Sequence, residues 1–554
     1  MAYSTTRSTF FCPAGTKWYW EFVPTTGYNY ASCGITTNSA AWDVNPGGTT
    51  DGHGVGFYDT ELDVDGTRNM SAITAWASGD IVSFAYDVDN DEIKYYINGS
   101  LSYTYSSVPT STDGPYSPTF GDFGGAVAAT INVNFGADSS FGGLKTSGSA
   151  AAQDDNEKGD FYYEPPSGYL ALCEDNLSTP EIKLPESEAF NTVLYTGDGS
   201  TQAVSGVGFQ PDFVWLKNRN STGSNMAYDS VRGATYYLHQ NETLGQTNGS
   251  NLTSNLQSFD SDGFTVIYRA SNADNTNRDT YTYASWNWKA GGAPTADNSA
   301  GAGAVPTAGS VKIDGSNLGS ALAGSIAATR LSANTTNGFS IVTWTGNLTS
   351  GATVAHGLSQ APDYIIVKVL NASRNWGIGS DHLSGSTWEN YLQFTIGAEL
   401  DNVNMFNDTA PSSSVFTIGN NTDINGSGDT YVAYCFHSVE GYSKAGMWTG
   451  NGNADGPFAY TGFKPAFLML KDYTSGTGEN WRIRDSVRNP YNVVNDGLRP
   501  SANSAEDVDS SGSLTDFLSN GFKLRNADNN NNGSGRTYLY LAFAESPFKY
   551  SNAR

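Results

Sequence analysis

Tyr195-Thr-Gly-Asp198 decides the fold, because the same signature returns as Trp344-Thr-Gly-Asn347 and as Trp448-Thr-Gly-Asn451. Each copy is followed by a turn with glycine and proline, an apolar run that ends in lysine, and a closing aromatic segment. A period on the order of a hundred residues indicates a repeated domain and not a solenoid unit. Whole-domain repetition favours an elongated presenting or binding protein over a single catalytic pocket.

The apolar run of each copy predicts a strand. The runs are Phe213-Val-Trp-Leu216, Tyr364-Ile-Ile-Val367 and Phe467-Leu-Met-Leu470. Short continuous apolar runs that follow a proline turn are typical of buried central strands. The closing segments are 280–286, 430–436 and 537–543, which align Trp286, Phe436 and Phe543. We therefore expect each copy to be a β-sandwich or jelly-roll-like domain.

The first 145 residues follow a different pattern. Alternating residues in 17–22, 79–87 and 92–99 predict strands, with a tight acidic turn at 88–91. Segments 118–121 and 131–136 supply two more strands. Period-two patterning with turns every eight to twelve residues is typical of a β-sandwich. The whole chain is thus expected to be all-β and multi-domain.

This first part resembles a SPRY domain, a concanavalin-like β-sandwich. The resemblance rests on Trp18-Tyr-Trp-Glu21, on the Gly-Asp-x-Val strand 79–87, on Asn98-Gly99 and on Asn134-Phe-Gly136, in that order. It covers roughly 150 residues, and the short lead-in before it leaves open whether the first edge strand is complete.

The repeats resemble a domain found in virion proteins of tailed bacteriophages, often behind a SPRY-like domain. Matching stretches include 190–197, Asp229-Ser-Val-Arg-Gly233, Trp286-Asn-Trp-Lys-Ala-Gly291, 334–346 and 542–550. The resemblance implies a virion protein made in the cytoplasm of a bacterial host. Tail fibres and appendages, which bind a host-surface glycan or protein, are the first role that it implies; a capsid spike, decoration or collar component is the alternative.

These signals divide the chain into five parts. The SPRY-like sandwich with its linker takes 1–185, and the three repeats take 186–291, 338–440 and 441–554. Between the first two repeats lies an Ala/Gly/Ser-rich connection, 292–337, with a weak helical pattern at 318–330.

Composition narrows the partners. With 32 Tyr, 27 Phe and 12 Trp among 554 residues, the chain has the aromatic content of a folded β-protein. A net charge of −26 repels phosphate backbones and anionic membranes, so we expect no nucleic-acid partner. No apolar leader or membrane-spanning run occurs, so we expect no membrane insertion. Other virion proteins and further copies of this chain are the expected assembly partners.

The sequence offers little chemistry. Its five histidines form no metal-binding spacing, and His356, in the loop before a buried strand, is interpreted as structural. The acidic run 87–92 is better explained as a hairpin turn than as a calcium loop. We expect a non-enzymatic protein with no cofactor, metal or catalytic residue. A polysaccharide depolymerase, which needs two suitably spaced carboxylates, is the less favoured alternative.

Two further features of the sequence are a repeated Asp-Ser-Val-Arg motif and a pair of cysteines. Asp229-Ser-Val-Arg232 returns as Asp485-Ser-Val-Arg488, and we interpret both as scaffold ion pairs because the middle repeat lacks the arginine. A disulfide between Cys12 and Cys33 is possible but is not fixed by the sequence.

Binding is expected to lie in loops. The aromatic candidates for contact with a sugar are Trp42, Trp76 and Trp388, each weighed against the alternative that it caps a sandwich core. The candidate Gly/Asn-rich segments are 37–51, 222–225, 245–256, 472–480 and 526–535.

Overall fold

The computed structural model divides the chain into two compact units, Met1–Thr179 and Pro180–Arg554. It describes residues 4–37, 46–47, 52–58, 60–71, 73–110, 115–122, 128–147, 152–249, 254–268, 276–385, 387–395, 397–475, 480–508, 512 and 514–551. The regular secondary structure of these residues is almost entirely strand, which confirms the all-β prediction.

The first unit is a two-sheet sandwich. One sheet has the order β1-β10-β3-β4-β5-β6, and the other β11-β2-β7-β8-β9 with β12 added parallel to β2. Aromatic side chains fill the space between the sheets, with Trp18, Trp20 and Phe84 among the most buried. The strands are β1 Ser4–Arg7, β2 Lys17–Pro24, β3 Ala31–Thr36, β4 Gly54–Tyr58, β5 Glu61–Val64, β6 Thr67–Ser71, β7 Val82–Asp87, β8 Glu92–Ile97, β9 Ser100–Tyr105, β10 Ser117–Asp122, β11 Ile131–Asn134 and β12 Tyr169–Ala171.

Strand β2 is buried on both faces, although its alternating sequence predicts one exposed face. The cause is Glu21, whose carboxylate accepts the backbone N–H groups of Tyr162 and Tyr163 at 2.8 and 2.9 Å. These bonds draw the following segment over the outer face, where Phe161 packs edge-on against Tyr19. Burial raises the pKa of Glu21, and the donated N–H groups oppose that rise.

The second unit contains one strand plan three times. In each copy the first strand of the repeat pairs with the closing strand, which pairs in turn with the apolar strand, and the apolar strand pairs with its hairpin partner. The orders are β13-β21-β15-β16 in the first repeat, β25-β32-β27-β28 in the second and β33-β39-β35-β36 in the third. The apolar runs therefore lie on internal strands, as the sequence predicts.

A smaller sheet covers one face of each large sheet: β14-β20-β19, β26-β31 and β34-β38-β37. Two short helices, α1 Pro185–Glu188 and α2 Thr422–Asn425, complete the unit. Its strands are β13 Phe190–Thr196, β14 Thr201–Ser205, β15 Phe213–Asn218, β16 Met226–Asp229, β17 Tyr236–His239, β18 Thr247–Asn248, β19 Ser254–Asp260, β20 Gly263–Tyr268, β21 Thr282–Trp288, β22 Val311–Ile313, β23 Ser316–Asn317, β24 Ala328–Asn334, β25 Phe339–Thr345, β26 Ala352–Ala355, β27 Tyr364–Val369, β28 Gly377–Ser380, β29 Asn390–Tyr391, β30 Leu400–Asp401, β31 Val415–Ile418, β32 Thr430–Phe436, β33 Ser443–Thr449, β34 Phe458–Tyr460, β35 Phe463–Asp472, β36 Arg482–Asp485, β37 Thr515–Leu518, β38 Gly521–Leu524 and β39 Thr537–Pro547.

The large sheets face a common centre. Alternate residues of β15, such as Val214 and Leu216, pack on the small sheet of their own repeat, while Phe213 and Trp215 join a cluster that spans all three repeats. In that cluster Phe213 lies 4.5 Å from Tyr434 between ring centroids. Aromatic contacts also join the first repeat to the third and the second to the third: Phe190–Phe543, Trp288–Phe467 and Phe436–Phe543.

Hydrogen bonds between repeats are cyclic. In each repeat, the residue just before the hairpin partner of the apolar strand (β16, β28 or β36) donates a side-chain N–H to a backbone carbonyl of the neighbouring repeat. The three acceptor residues hold equivalent positions in the strand register. The bonds are Trp376 Nε1 to His239 O at 3.0 Å, Trp481 Nε1 to Gln393 O at 3.0 Å and Asn225 Nδ2 to Arg499 O at 2.9 Å. They run from second repeat to first, third to second and first to third, so the three repeats form a closed ring with approximate threefold symmetry.

A second cyclic set uses only the backbone. The bonds are Gln246 N to Leu370 O at 2.7 Å, Glu399 N to Tyr473 O at 2.9 Å and Glu506 N to Arg219 O at 2.8 Å. The donor direction of this set is opposite to that of the first set, but both sets join all three pairs of repeats. Together they exclude a string of repeats in this unit. The expected elongated arrangement is therefore wrong for residues 180–554.

Three finer predictions also need correction. Segment 318–330 forms no helix, and β22, β23 and β24 extend the large sheet of the second repeat, so the part of 292–337 that carries these strands belongs to that sheet. The end of this segment instead forms the start of β24, where Ala328 pairs with Trp344 and is buried. The closing strands align Trp288, not Trp286, with Phe436 and Phe543, because Phe213 pairs with Trp288 in the register that Tyr364 and Phe467 share.

Candidate functional site

Two of the three tryptophans proposed for sugar contact lie in cores. Trp76 is buried, donates its indole N–H to Tyr28 O at 3.0 Å and packs edge-on against Phe22. Trp388 is buried at a backbone φ of 60° and packs edge-on against Phe406. Both side chains therefore cap a sandwich core, which is the alternative to sugar contact given for each of them. Trp42 lies outside the described residues.

Three of the Gly/Asn-rich segments hold the ring together. Gly223 N donates to Asn503 O at 2.8 Å, and the backbone bonds of Gln246 and Tyr473 cross to the neighbouring repeats. Segments 222–225, 245–256 and 472–480 therefore contribute to boundaries between repeats in their described parts. Most of segment 37–51 lies outside the described residues.

The Asp-Ser-Val-Arg segments are buried sites that receive a side chain from the next repeat. Asp229 accepts the Arg232 Nε–H at 2.5 Å and the hydroxyl of Tyr434, in the second repeat, at 2.8 Å. Arg232 also donates to Tyr434 Oη at 3.3 Å. Both side chains of the ion pair are almost fully buried, so the pair is part of the packing between repeats.

The third repeat repeats this geometry with a partner from the first. Asp485 accepts Arg488 Nε–H at 2.6 Å and the indole N–H of Trp286 at 3.0 Å. Arg488 also donates to Glu506 Oε1 at 2.6 Å, and Glu506 in turn accepts from Arg219 of the first repeat at 2.9 Å. Trp286 and Tyr434 occupy equivalent positions on their closing strands.

The middle repeat lacks all three partners at once. By strand register Ser380 stands for the aspartate, Leu383 for the arginine, and Leu541 of the third repeat for the tyrosine or tryptophan. Both leucines are buried in the central cluster. In this repeat the carboxylate, the guanidinium and their donor are thus replaced together by an uncharged set, which supports the scaffold interpretation.

The lysines that end two of the apolar runs are also internal. Lys217 donates to Gly223 O at 2.6 Å, and Lys368 donates to Thr243 O of the first repeat at 2.8 Å. Burial lowers the pKa of both ammonium groups to about 8. They tie each strand end to the boundary loops.

His356 is structural as well. It is fully buried, its Nε2 lies 3.1 Å from Ser412 O, and Leu358 N donates to its Nδ1 at 3.1 Å. Burial, chiefly, lowers the pKa of the imidazole to about 4, so the ring is neutral at physiological pH.

The acidic turn considered for calcium and the two cysteines considered for a disulfide have the following environments. Asp87, in the acidic hairpin, pairs with Lys17 at 2.6 Å and accepts from Asn90, as a turn residue does. Cys12 and Cys33 are buried free thiols, whose pKa values burial raises. Within the described ranges no three His, Cys, Asp or Glu side chains are grouped to hold a metal ion.

One exposed feature occurs in every repeat at the Thr-Gly-Asp/Asn signature. We call loops 198–200, 347–350 and 451–455 the pinned loops. A fully buried asparagine accepts the first N–H of each loop through Oδ1 and donates through Nδ2 to the carbonyl two residues later. The pinning residues are Asn277, Asn425 and Asn532.

Each pinned loop is also held by the glycine just before it and by a tyrosine of the closing strand. A Cβ on Gly197, Gly346 or Gly450 would collide with a backbone carbonyl of the segment opposite, so only glycine fits. A tyrosine hydroxyl accepts a backbone N–H of that segment, and its ring stacks on the aromatic residue before Thr-Gly. The tyrosines are Tyr283, Tyr431 and Tyr538.

The pinned loops were missed from the sequence, although a signal exists. Each pinning asparagine stands six residues before its tyrosine, which is a constant spacing through all three repeats. The exposed tips carry Asp, Asn, Ser and Thr side chains in a fixed backbone conformation. Because the contacts between repeats are cyclic, equivalent positions lie at the same end of the ring. The loops thus form a set of three rigid polar tips.

Comparison with known proteins supplies fold likeness and a family, but no activity. The chain is similar to a human SPRY domain at 14% identity, covering 24% of this chain and 84% of that one with a TM-score of 0.20. It is similar to the SPRY domain of human HERC1 at 13% identity, covering 24% and 82% with a TM-score of 0.21. Scores this low carry no functional argument. No curated protein matches the sequence.

No helix in the described part of the chain is long and apolar enough to cross a membrane. The family match falls on the second unit, where residues 185–315 and residues 312–547 both match the same family. The second match begins within β22, where the large sheet of the second repeat begins. The chain belongs to the family described as Domain of unknown function (DUF7483).

Proposed function

We propose that the protein is a non-enzymatic component of a bacteriophage virion, a tail fibre or other appendage, that binds a glycan or protein on the host cell surface. The resemblance of the repeats to phage virion domains motivates the virion setting. The set of three pinned loops is the observation that carries the binding role.

The pinned loops have the properties that such binding needs. Asn277, Asn425 and Asn532 fix the backbone of each loop before any ligand arrives, so little conformational entropy is lost on binding. Their polar side chains and backbone groups suit the hydroxyl groups of a sugar. Three tips on one rigid ring, multiplied by further copies in the virion, convert weak single contacts into avidity.

Purified protein should bind host cells saturably and should block adsorption of the phage. Placing arginine on each tip, as Ser200→Arg, Thr349→Arg and Asn453→Arg together, should weaken binding by about 100-fold or more, since three contacts fail at once. The matched control carries the same added charge at exposed positions away from the tips: Ser316→Arg, Asn317→Arg and Ser413→Arg. Equal binding by both variants would show that the pinned loops are not the contact.

The closed ring favours one second candidate. A monomer with approximate threefold symmetry matches a threefold position in a larger assembly, as a capsid spike, decoration or collar protein requires. Failure of the wild-type protein to bind cells, together with its location on the capsid or collar in labelled virions, would favour this role. Turnover of host polysaccharide by the purified protein would instead favour a depolymerase.

A further inference from the structure

Arg484 occupies an unusual position for a charged residue. It lies on β36 and pairs in register with Leu468, as Tyr228 pairs with Val214 in the first repeat and Gly379 with Ile365 in the second. That position faces the interior of each sandwich. In the first repeat a phenol fills the space, and in the second the indole of Trp388 lies over Gly379. Only the third repeat places a cation there.

The guanidinium is fully buried but only partly paired. Its Nη1 donates to Val494 O at 2.8 Å, whereas Nε and Nη2 meet no hydrogen-bond partner within the described ranges. Nε–H and Nη2–H lie on the same edge of the group and form the fork that arginine uses to bind an anion. Arg232 and Arg488, in contrast, each direct Nε–H to an aspartate.

A second unpaired group lies next to the same backbone carbonyl. Thr515, on β37, is bridged to Val494 by backbone bonds of 2.8 and 3.2 Å, and its buried Oγ1 also meets no partner in the part of the chain that the structure describes. A hydroxyl is a second buried donor beside the carbonyl that Arg484 Nη1 contacts.

Charged neighbours of both signs act on Arg484. Arg482 and Arg488 lie close enough to disfavour the charged form of Arg484, while Asp496 and Asp507 favour it. Burial, chiefly, lowers the pKa of Arg484 to about 9, which leaves it charged at neutral pH. An isolated buried charge is costly, and proteins pair or neutralise such groups.

We propose that Arg484 and Thr515 form an internal anion site in the third repeat, which holds a small monovalent anion on the free guanidinium edge. A halide and a small carboxylate such as formate share the required chemistry, because each accepts hydrogen bonds and carries one negative charge. The site is separate from the pinned loops and does not depend on their function.

The test titrates the full-length protein with chloride, bromide or formate against gluconate at constant ionic strength. Raising chloride from about 1 mM to about 100 mM should raise the Tm of the wild-type protein by about 2 °C or more, since a ligand that binds only the folded state stabilises it. Arg484→Met should lose this dependence. Arg525→Met, which removes a half-exposed arginine of the same repeat, should keep it.

Crystals grown in bromide give a result that does not depend on any variant. An anomalous peak within hydrogen-bond distance of Arg484 Nε and Nη2 is expected. The absence of a peak at that edge would overturn the proposal. A water molecule bound there, with a Tm that does not depend on anion concentration, would also overturn it. Equal anion dependence in the wild-type protein and Arg484→Met would overturn it as well.

Discussion

Replacing Asp229 by serine, the residue found at the equivalent position 380, should destabilise the ring strongly. The carboxylate is fully buried and accepts Arg232 Nε at 2.5 Å, Arg232 N at 2.8 Å and Tyr434 Oη at 2.8 Å. Its removal leaves the Arg232 guanidinium buried without a counter-charge. Breaking a buried pair in this way costs about 3–5 kcal/mol of the free energy of unfolding.

The boundary between the second and third repeats shows how the loss is repaired. The triple variant Asp229→Ser, Arg232→Leu, Tyr434→Leu reproduces the uncharged set Ser380, Leu383 and Leu541. Since it buries no unpaired charge, it should regain at least about 2 kcal/mol of the stability lost in the single variant, even with some cavity cost from the shorter side chain at 434.

Equilibrium unfolding in urea, followed by tryptophan fluorescence, measures both variants, with Asp401→Ser as an exposed-aspartate control. The expected order of the free energy of unfolding, from highest to lowest, is wild type, triple variant, Asp229→Ser. A triple variant no more stable than Asp229→Ser would show that the three positions do not form one site and would refute the assigned equivalence of the boundaries.

Further predictions concern other contacts of the ring. Trp481→Phe removes the indole donor to Gln393 O and should lower the free energy of unfolding by about 1–3 kcal/mol in the same urea assay. Asn532→Ala should accelerate amide hydrogen exchange in loop 451–455 but not in loop 198–200, which Asn277 pins independently. The pKa of His356 is lowered to about 4 from 6.5, so the unfolded state binds its proton more readily and stability is lost as pH falls from about 6.5 to 4. Relative to His356→Gln, the wild-type protein should lose about 3 kcal/mol across that range in pH-dependent urea unfolding; equal pH profiles would contradict this.

The sequence predicted the strands because their signals are local. Proline turns and apolar runs located β15, β27 and β35, and the hairpin turn at 88–91 joined β7 to β8. Three copies of one pattern gave the repeated plan. Pairing register is less local, which is why the closing strand of the first repeat was aligned two residues away from its true counterpart.

The closed ring could not be read from the repeats, because its evidence lies between them. Asn225 and Trp376 stand at equivalent positions, and each donates a side-chain N–H to a carbonyl of a neighbouring repeat. They are chemically unlike, so a comparison of sequence patterns does not align them. Trp388 illustrates a second limit: an aromatic residue in a Gly/Ser-rich segment suggests exposure, whereas its ring fills the space that Gly379 leaves open. Burial of that kind depends on residues distant in the sequence.

The ring is tested most directly by cysteine pairs at two boundaries. Thr243→Cys with Arg374→Cys joins the first and second repeats, where Arg374 N donates to Thr243 O at 2.8 Å; Gly223→Cys with Asn503→Cys joins the first and third through the equivalent 2.8 Å bond. Both pairs bring their backbones within disulfide reach. A closed ring predicts that both disulfides form within one molecule under mild oxidation, as intact-mass analysis and peptide mapping would show. Formation of the first without the second would contradict the ring and favour a string of repeats.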